Sequence, residues 1–160
     1  LGYNYLAGAK LARGKYYMLI NGDNDGPVEM IREILAHLGK YDMVIPYLAG
    51  NDQRDPLRIL ISRTFTFIVQ RLSRTRVRYY NCAVLHLTSN VRSWDREAKG
   101  YAYQAEMVCR FIRAGMSYHE IQVVHRVRQE GRTKSFKLSN FVSVAGSLYR
   151  ILGDRLREGR

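Results

Sequence analysis

Two aspartates separated by a single residue are the first groups in this sequence that could bind a metal ion. Asp23 and Asp25 lie in the run MLINGDNDGPVEM, residues 18–30, behind an apolar stretch and before a helix-like segment. Carboxylates at i and i+2 of a tight turn can share one Mg²⁺ or Mn²⁺, because these cations prefer oxygen ligands and take one or two carboxylates plus substrate phosphate oxygens. Asp, Asn and Gly also form ordinary surface turns. The spacing alone therefore leaves a metal site and a plain turn open.

The elements around this acidic turn predict an α/β fold. Apolar runs of strand length alternate with helix-like patterns, which is typical of a largely parallel sheet flanked by helices. The uncharged run 16–20 predicts a central strand, and the acidic turn then lies at its carboxyl end, where open α/β sheets bind ligands. The other predicted strands are 42–47, 83–87 and 117–127, and the predicted helices are 2–13, 27–38, 57–72, 101–114 and 136–156.

Two segments between these elements need separate interpretation. Residues 89–99 lack a periodic pattern and are predicted to be a loop. Helix 57–72 has apolar side chains at helical spacing, and we interpret them as core positions and not as a cofactor site. They are Leu57, Leu60, Ile61, Phe65, Ile68, Val69 and Leu72.

The composition predicts one compact domain with a strongly basic surface. The chain has 160 residues, of which 46% are hydrophobic, and its formal net charge is +12. The positive excess lies after residue 50, and such a surface attracts the phosphates of nucleic acids, nucleotides or anionic lipids. A merely solvated basic face is the alternative interpretation. No apolar run approaches the roughly 18 residues that are needed to cross a bilayer.

The cysteines and histidines do not indicate a disulfide or a zinc site. Cys82 and Cys109 lie far apart and lack metal-ligand spacing, so we expect two reduced thiols in a cytosolic setting. The four histidines have no companion ligands at the spacing of a zinc site. They are His37, His86, His119 and His125.

Five stretches of the sequence resemble a known enzyme family. They are GYNYLAGAKLARGKYYMLINGDND, DMVIPY, RYYN, GYAYQAEMVCRFIRAGMSYHEI and RVRQEGRTKSF, in that order. The same order of motifs is seen in family 2 glycosyltransferases. Within that family the chain most resembles the polyprenyl-phosphate sugar transferases of the dolichol-phosphate mannosyltransferase type. The resemblance extends from Gly2 to about Arg150.

The resemblance implies a GT-A fold, which is a Rossmann-like α/β fold, and a nucleotide-sugar donor. It also implies that Mg²⁺ or Mn²⁺ is held by an Asp-x-Asp element, with Asp23 as the first ligand and Asp25 as the second. A second register, Asn21-Gly22-Asp23, would replace one carboxylate by an amide and would bind the metal more weakly. Asp23 belongs to both registers, and we prefer Asp23-Asn24-Asp25.

Glu106 lies where the resemblance implies an acidic residue at the start of the helix on the acceptor side. A carboxylate there could accept a proton from an attacking hydroxyl group, or it could orient the acceptor. If the acceptor is an ionised phosphate, no strong base is required and Glu106 only positions it. The alternative is a surface glutamate paired with Arg110 at i+4.

A basic segment near the end of the resemblance matches the family pattern Arg-x-x-Gly-x-Ser-Lys, with Thr133 in place of serine. Arg128, Arg132 and Lys134 would supply positive charge for a donor pyrophosphate or an acceptor phosphate. A disordered basic loop is the alternative. Weaker candidates for phosphate contacts are Arg54, Arg58 and Arg63. Cys82 stands where the family often has glycine, after Asn81.

The resemblance implies inverting transfer of a sugar to polyprenyl (dolichyl) phosphate or another acceptor. Residues 1–135 would form the carboxyl-terminal part of a GT-A catalytic domain that lacks its first strands, and residues 136–160 would form a basic amphipathic helix. That helix could lie on an anionic membrane surface, pack on the domain or form a homodimer contact. We expect a peripheral position at the cytoplasmic face of the membrane and no nucleic-acid partner.

Two other classes of function stay open at this stage. A basic nucleic-acid-binding module could use Arg78, Tyr79 and Tyr80 as a stacking surface, but it leaves the acidic turn unexplained. A noncatalytic scaffold of the same fold would bind ligands without transferring a sugar.

Overall fold

The computed structural model describes residues 2–20, 27–48, 55–98, 100, 102–123 and 138–158. Within these residues, helices alternate with short strands along the chain. The elements are α1 (Gly2–Leu11), β1 (Tyr16–Tyr17), α2 (Val28–Leu35), β2 (Met43–Leu48), α3 (Pro56–Ser73), β3 (Leu85–Leu87), α4 (Thr88–Arg92), α5 (Tyr103–Arg113), β4 (Tyr118–Val123) and α6 (Leu138–Glu158).

The described strands form one four-stranded mixed sheet in the order β1-β3-β2-β4. β2 and β4 pair in parallel from Met43 opposite Tyr118 to Leu48 opposite Val123. β3 runs antiparallel to both β1 and β2. The α/β class is therefore confirmed, but the sheet is mixed and not purely parallel. The reason is β3, which enters the sheet between two strands of the opposite direction.

The strand that leads to the acidic turn is shorter than expected and lies elsewhere in the sheet. Only Tyr16 and Tyr17 of the predicted strand 16–20 are paired, and β1 is the end strand among the described residues. The central position that we predicted for it is therefore wrong. An uncharged apolar run indicates burial, but it does not identify the neighbouring strands.

The core has two parts, one on each face of the sheet. Alternate side chains of β2 point to opposite faces, so Met43 and Ile45 join one cluster while Val44 joins the other. The first cluster also receives buried side chains from α1, α3, α5 and α6. The second is covered by α2, through Met30 and Ile34. Helices therefore flank both faces of the sheet, and α3 and α2 lie on opposite sides.

The ends of α3 follow from local chemistry. The side chain of Asp55 accepts hydrogen bonds from the backbone N–H groups of Leu57 and Arg58, at 2.9 and 3.3 Å, and Pro56 occupies the first turn. An acidic cap followed by proline is a strong start signal. The helix ends at Arg74, whose φ of 58° is left-handed. The predicted bounds 57–72 are therefore close to the observed ones.

Two other predictions from periodicity are wrong in part. Leu57, Leu60 and Ile61 of α3 are exposed, although we expected core positions, whereas Val69 is buried. Periodicity identifies an apolar stripe but does not show whether another element covers it. The predicted loop 89–99 contains the short helix α4.

The carboxyl-terminal helix α6 packs on the rest of the domain. It contacts both α3 and α5. Ile151 and Ser147 are fully buried on its inner side, while Val142 and Tyr149 are exposed on its outer side. Its amphipathic pattern therefore corresponds to an inner face that completes the core and an outer face that meets solvent.

Candidate active site

The carboxyl ends of three strands define the candidate site. β1 and β2 are both antiparallel to β3, and β4 is parallel to β2, so β1, β2 and β4 run in the same direction. β2 and β4 also end level with each other, because Leu48 pairs with Val123. Strands of one direction present their carboxyl ends at one edge of the sheet. The chain therefore continues from all three strands at the same edge.

The predicted site residues follow these strand ends in the sequence. Residues 21–26 follow β1 after three intervening residues, residues 49–54 follow β2 directly, and residues 124–137 follow β4 directly. These three segments lie outside the described residues. They contain the predicted metal ligands and most of the predicted substrate-binding residues, so both metal registers stay predictions. The residues concerned are Asp23, Asp25, Arg54, Arg128, Arg132, Thr133 and Lys134.

Glu106 is the predicted site residue that the structure describes, and it is held by an arginine. It lies near the start of α5, and its carboxylate is almost completely buried. Arg150 of α6 donates from Nε to Oε2 at 2.9 Å and from Nη2 to Oε1 at 2.7 Å. The same Nη2 contacts Oγ of Ser147 at 3.1 Å. The hydrogen bond to Glu106 raises the pKa of Arg150.

This two-point contact bears on what Glu106 can do. Both carboxylate oxygens accept from one guanidinium group, which is the strongest common arrangement of a carboxylate and an arginine. A general base must present a free oxygen to the proton that it removes. The contact with Arg150 therefore favours a positioning role for Glu106 over proton abstraction.

The alternative that we considered for Glu106, a surface pair with Arg110, is wrong. Arg110 instead forms a two-point ion pair with Asp95, which is mostly exposed, and its guanidinium lies 5.3 Å from the centre of the Trp94 ring. The hydrogen bond from Arg110 lowers the pKa of Asp95. The i+4 rule fails at Glu106 because this side chain points to α6 and not along its own helix.

A second ion pair ties α6 to the domain. Asp154 accepts two hydrogen bonds from Arg96, both at 2.7 Å, and lies 3.6 Å from Nη2 of Arg113. The partners of Asp154 and Arg150 were not predicted from the sequence. One signal was present, since Arg150 and Asp154 are four residues apart and flank the buried Ile151 on an apolar helix face. Side chains with that spacing share one face of a helix.

Arg78 is a fixed positive charge close to the candidate edge of the sheet. Its guanidinium lies 4.5 Å from the ring centre of Tyr47 and donates a hydrogen bond to the Tyr47 hydroxyl group. The backbone N–H of Arg78 donates to Oε1 of Glu120 at 2.6 Å. Tyr47 is the penultimate residue of β2, so this cation lies near the carboxyl end of that strand. From the sequence, Arg78 was a candidate only for stacking on nucleic acid.

One of the three residues of that nucleic-acid hypothesis, Tyr80, is not available for stacking on bases. Tyr80 is fully buried, and its hydroxyl group lies 2.8 Å from Oγ1 of Thr75. Burial raises the pKa of Tyr80. A ring that serves as a stacking platform for bases must present a face to solvent, so Tyr80 cannot have that role in this arrangement.

The cysteines and histidines of the described residues pack against other side chains and are not grouped as metal ligands. Cys82 and Cys109 do not form a disulfide, and burial raises the pKa of Cys109. His86 is buried beneath α5, and this burial lowers its pKa to about 3. The rings of His37 and His119 stack with their centres 4.8 Å apart. No group of three or more metal-ligating His, Cys, Asp or Glu side chains occurs within the described ranges.

Comparisons with known proteins add no family to this description. None of the helices in the described part of the chain combines the length and apolar character that a membrane span requires. No protein-family model matches the sequence, and no curated protein is significantly similar to it.

Proposed function

We propose that this chain belongs to a glycosyltransferase that moves a sugar from a nucleotide-sugar donor to polyprenyl phosphate. One observation carries the proposal. β1, β2 and β4 run in the same direction, so the acidic segment 21–26 and the basic segment 124–137 both follow strand ends at one edge of the sheet. An edge of this kind is where α/β proteins bind phosphate-containing ligands.

The chemistry of the two segments is complementary. Asp23 and Asp25 offer only oxygen ligands, which fit Mg²⁺ or Mn²⁺. When bound, such an ion neutralises charge on the donor diphosphate. Arg128, Arg132 and Lys134 would contact the phosphates directly, and the Thr133 hydroxyl group would donate a further hydrogen bond. A metal–diphosphate ligand requires both kinds of group, carboxylates for the ion and cations for the phosphates.

The proposed reaction is a single displacement that inverts the anomeric carbon. An oxygen of the acceptor attacks that carbon while the nucleoside diphosphate departs, and negative charge grows on the departing phosphate. Positive groups fixed before the reaction stabilise this charge without reorganisation. Arg78, which is held against Tyr47 near the end of β2, is a described cation that supports such a role.

Glu106 would act as a positioning residue in this scheme. An ionised acceptor phosphate needs no base, which agrees with a carboxylate whose two oxygens are occupied by Arg150. Through that contact, Glu106 would fix the relative position of α5 and α6 on the acceptor side.

The proposed acceptor also suggests where the protein acts. Because polyprenyl phosphate is a membrane lipid, we place the protein peripherally at the cytoplasmic face of a membrane.

The proposal is tested by assaying transfer from a panel of nucleotide sugars to polyprenyl phosphate, with and without Mn²⁺. The protein should be the complete polypeptide that contains this sequence. We expect Asp23→Ala to lower the rate by roughly two orders of magnitude or more, because a metal-binding carboxylate is lost. Glu33→Ala, an exposed acidic residue of α2, is the matched control and should leave the rate unchanged.

Two results would count against this assignment. Transfer that persists after chelation and in Asp23→Ala would remove the metal site from the mechanism. Donor binding without transfer to any acceptor would instead identify a noncatalytic scaffold of the same fold.

A further inference from the structure

The outer face of α3 is apolar and lies open to solvent. Leu57 and Leu60 are 60% and 61% exposed, Phe67 is 59% exposed and Ile61 is 37% exposed. Residues three, four and seven positions apart share one face of a helix, so these four side chains form one stripe. The opposite side of α3 is the buried one, through Thr66, Val69 and Ser73.

The sequence along and after this stripe is rich in arginine, and the described acidic residue beside it is Asp55, which caps the start of α3. Residues 56–94 contain seven arginines and no aspartate or glutamate. Arg58 and Arg63 are exposed on α3, and the guanidinium of Arg71 lies 5.7 Å from the centre of the Phe67 ring. Arginine stems commonly cover apolar surface while their charged ends stay in water.

The segment that follows α3 extends this charge in a regular way. Arg74, Arg76 and Arg78 are exposed, whereas Thr75 and Val77 between them are buried. Burial therefore alternates along this segment, and its three arginines lie on the solvent side. The inner side is fixed, because Oγ1 of Thr75 lies 2.7 Å from Oγ of Ser73, and the Val77 carbonyl accepts from Gln70 at 2.8 Å. No carboxylate of the described residues pairs with Arg74 or Arg76.

We propose that this arginine-apolar surface docks on an anionic lipid bilayer. The surface comprises the exposed side chains Leu57, Leu60, Ile61, Phe67, Arg58, Arg63, Arg71, Arg74 and Arg76. An anionic bilayer offers an apolar interior and negative phosphates at adjacent depths, which is the combination that this surface complements. The inference rests on the proposed function, in which the acceptor is a membrane lipid. It deepens that function by naming the face of the protein that meets the membrane.

Two other occupants fit less well. A second copy that docked through the same face would bring the arginines of both copies together, and like charges at close range repel. Nucleic acid would complement the arginines, but it has no apolar interior for Leu57, Leu60 and Phe67.

The outer face of α6 is a weaker candidate for contact with the bilayer, because two of its arginines are engaged within the domain. Arg150 binds Glu106, and Arg155 donates to the carbonyls of Arg71 and Leu72.

The test is co-sedimentation of the protein with vesicles of phosphatidylcholine, with and without phosphatidylglycerol. We expect binding only to vesicles that contain phosphatidylglycerol, and weaker binding at high salt because the charges are screened. Arg71→Gln with Arg76→Gln should weaken binding about 25-fold, at roughly fivefold for each arginine. Leu60→Gln with Phe67→Gln should weaken it by at least about tenfold, since apolar area is lost.

The matched controls, called the α2 controls, lie in α2, on the other face of the sheet, and in the turn that follows this helix. Arg32→Gln with Lys40→Gln removes two exposed cations, and Leu35→Gln with Leu38→Gln removes two exposed leucines. Both control pairs should bind vesicles like the unchanged protein. Circular dichroism of every variant checks that the fold is retained, which we expect because all the substituted side chains are exposed.

Several outcomes would overturn the inference. One is equal binding to neutral and anionic vesicles, and another is equal loss in the α2 controls and the α3 variants. Concentration-dependent self-association that Leu60→Gln abolishes while vesicle binding persists would assign this face to a second copy. Tighter, salt-sensitive binding to a mixed-sequence oligonucleotide, lost in Arg71→Gln with Arg76→Gln, would assign it to nucleic acid. Vesicle binding does not require sugar transfer, so either proposal can fail while the other stands.

Discussion

Helices α5 and α3 both carry several apolar side chains, but their surroundings are very different. Eight of the 11 residues of α5 are buried, whereas α3 buries three of its 18 residues. α5 packs beneath α6 and over the sheet, while α3 has α6 at one side and solvent at its outer face. An apolar stripe is therefore not evidence of burial by itself, because burial depends on which other elements cover the helix.

The two helices also differ in whether their charged side chains are buried or exposed. α5 buries the carboxylate of Glu106 and satisfies it with Arg150, because a buried charge without a partner is strongly unfavourable. α3 keeps its arginines in solvent, next to apolar side chains that no described element covers. The first arrangement stabilises the domain internally, and the second suits a partner outside it.

The largest expected effect is on the free energy of unfolding, when a buried residue of α5 and an exposed residue of α3 are each shortened to alanine. Met107 of α5 is fully buried, and Met107→Ala should lower the free energy of unfolding by about 3 kcal/mol, because it leaves a cavity. Leu60→Ala removes a side chain of similar size from the exposed face of α3 and should cost less than about 0.5 kcal/mol. Urea denaturation of both variants measures the difference. Equal losses would mean that the outer face of α3 is covered in solution.

The next effect concerns the buried ion pair between α5 and α6. Arg150→Leu should lower the free energy of unfolding by about 2 kcal/mol, which is less than for a fully buried pair because Arg150 is partly exposed. Arg110→Leu, which breaks the exposed pair with Asp95, should cost less than about 1 kcal/mol.

A double variant sharpens the interpretation of that ion pair. Glu106→Leu combined with Arg150→Leu should recover most of the stability that Arg150→Leu loses, since no unpaired charge is left buried. Chemical denaturation of the single and double variants tests this. Losses that simply add would contradict the view that the unpaired carboxylate causes the damage.

A smaller effect should appear as a pH dependence of stability. His86 lies under α5, where Nε2 of Gln104 is 3.3 Å from Nε2 of His86, and burial lowers the pKa of His86 to about 3. The unfolded chain therefore binds a proton that the folded chain does not, between pH 6.5 and about 3. Stability should fall as pH falls through this window, by up to about 1.4 kcal/mol per pH unit.

The control for this pH dependence is a histidine outside the core. His86→Gln should flatten the slope, whereas His37→Gln, in the turn after α2, should not. Thermal unfolding across the acidic range measures both variants. A slope that is unchanged in His86→Gln would place the titrating group elsewhere.

The sequence predicted those parts of the fold that depend on local chemistry. Asp55 and Pro56 are a start signal for a helix, and α3 begins there. Gly115, with a φ of 80°, is a stop signal, and α5 ends shortly before it. Strand order could not be predicted in this way, because β3 inserts between β1 and β2 through contacts between distant residues. Glu106 was identified by its position, but its partner Arg150 lies 44 residues away. The segments with the predicted metal ligands and basic residues lie outside the described residues, so their positions stay predictions.

The central claim is that the segments after β1 and β4 act on one donor diphosphate. A double-mutant cycle on the transfer rate, with Asp23→Ala, Lys134→Gln and their combination, tests it most directly. The account predicts that each single change lowers the rate and that the combined effect departs from the sum by more than about 0.5 kcal/mol, as expected for groups that share a ligand. Strictly additive effects, or a rate that neither change lowers, would contradict it.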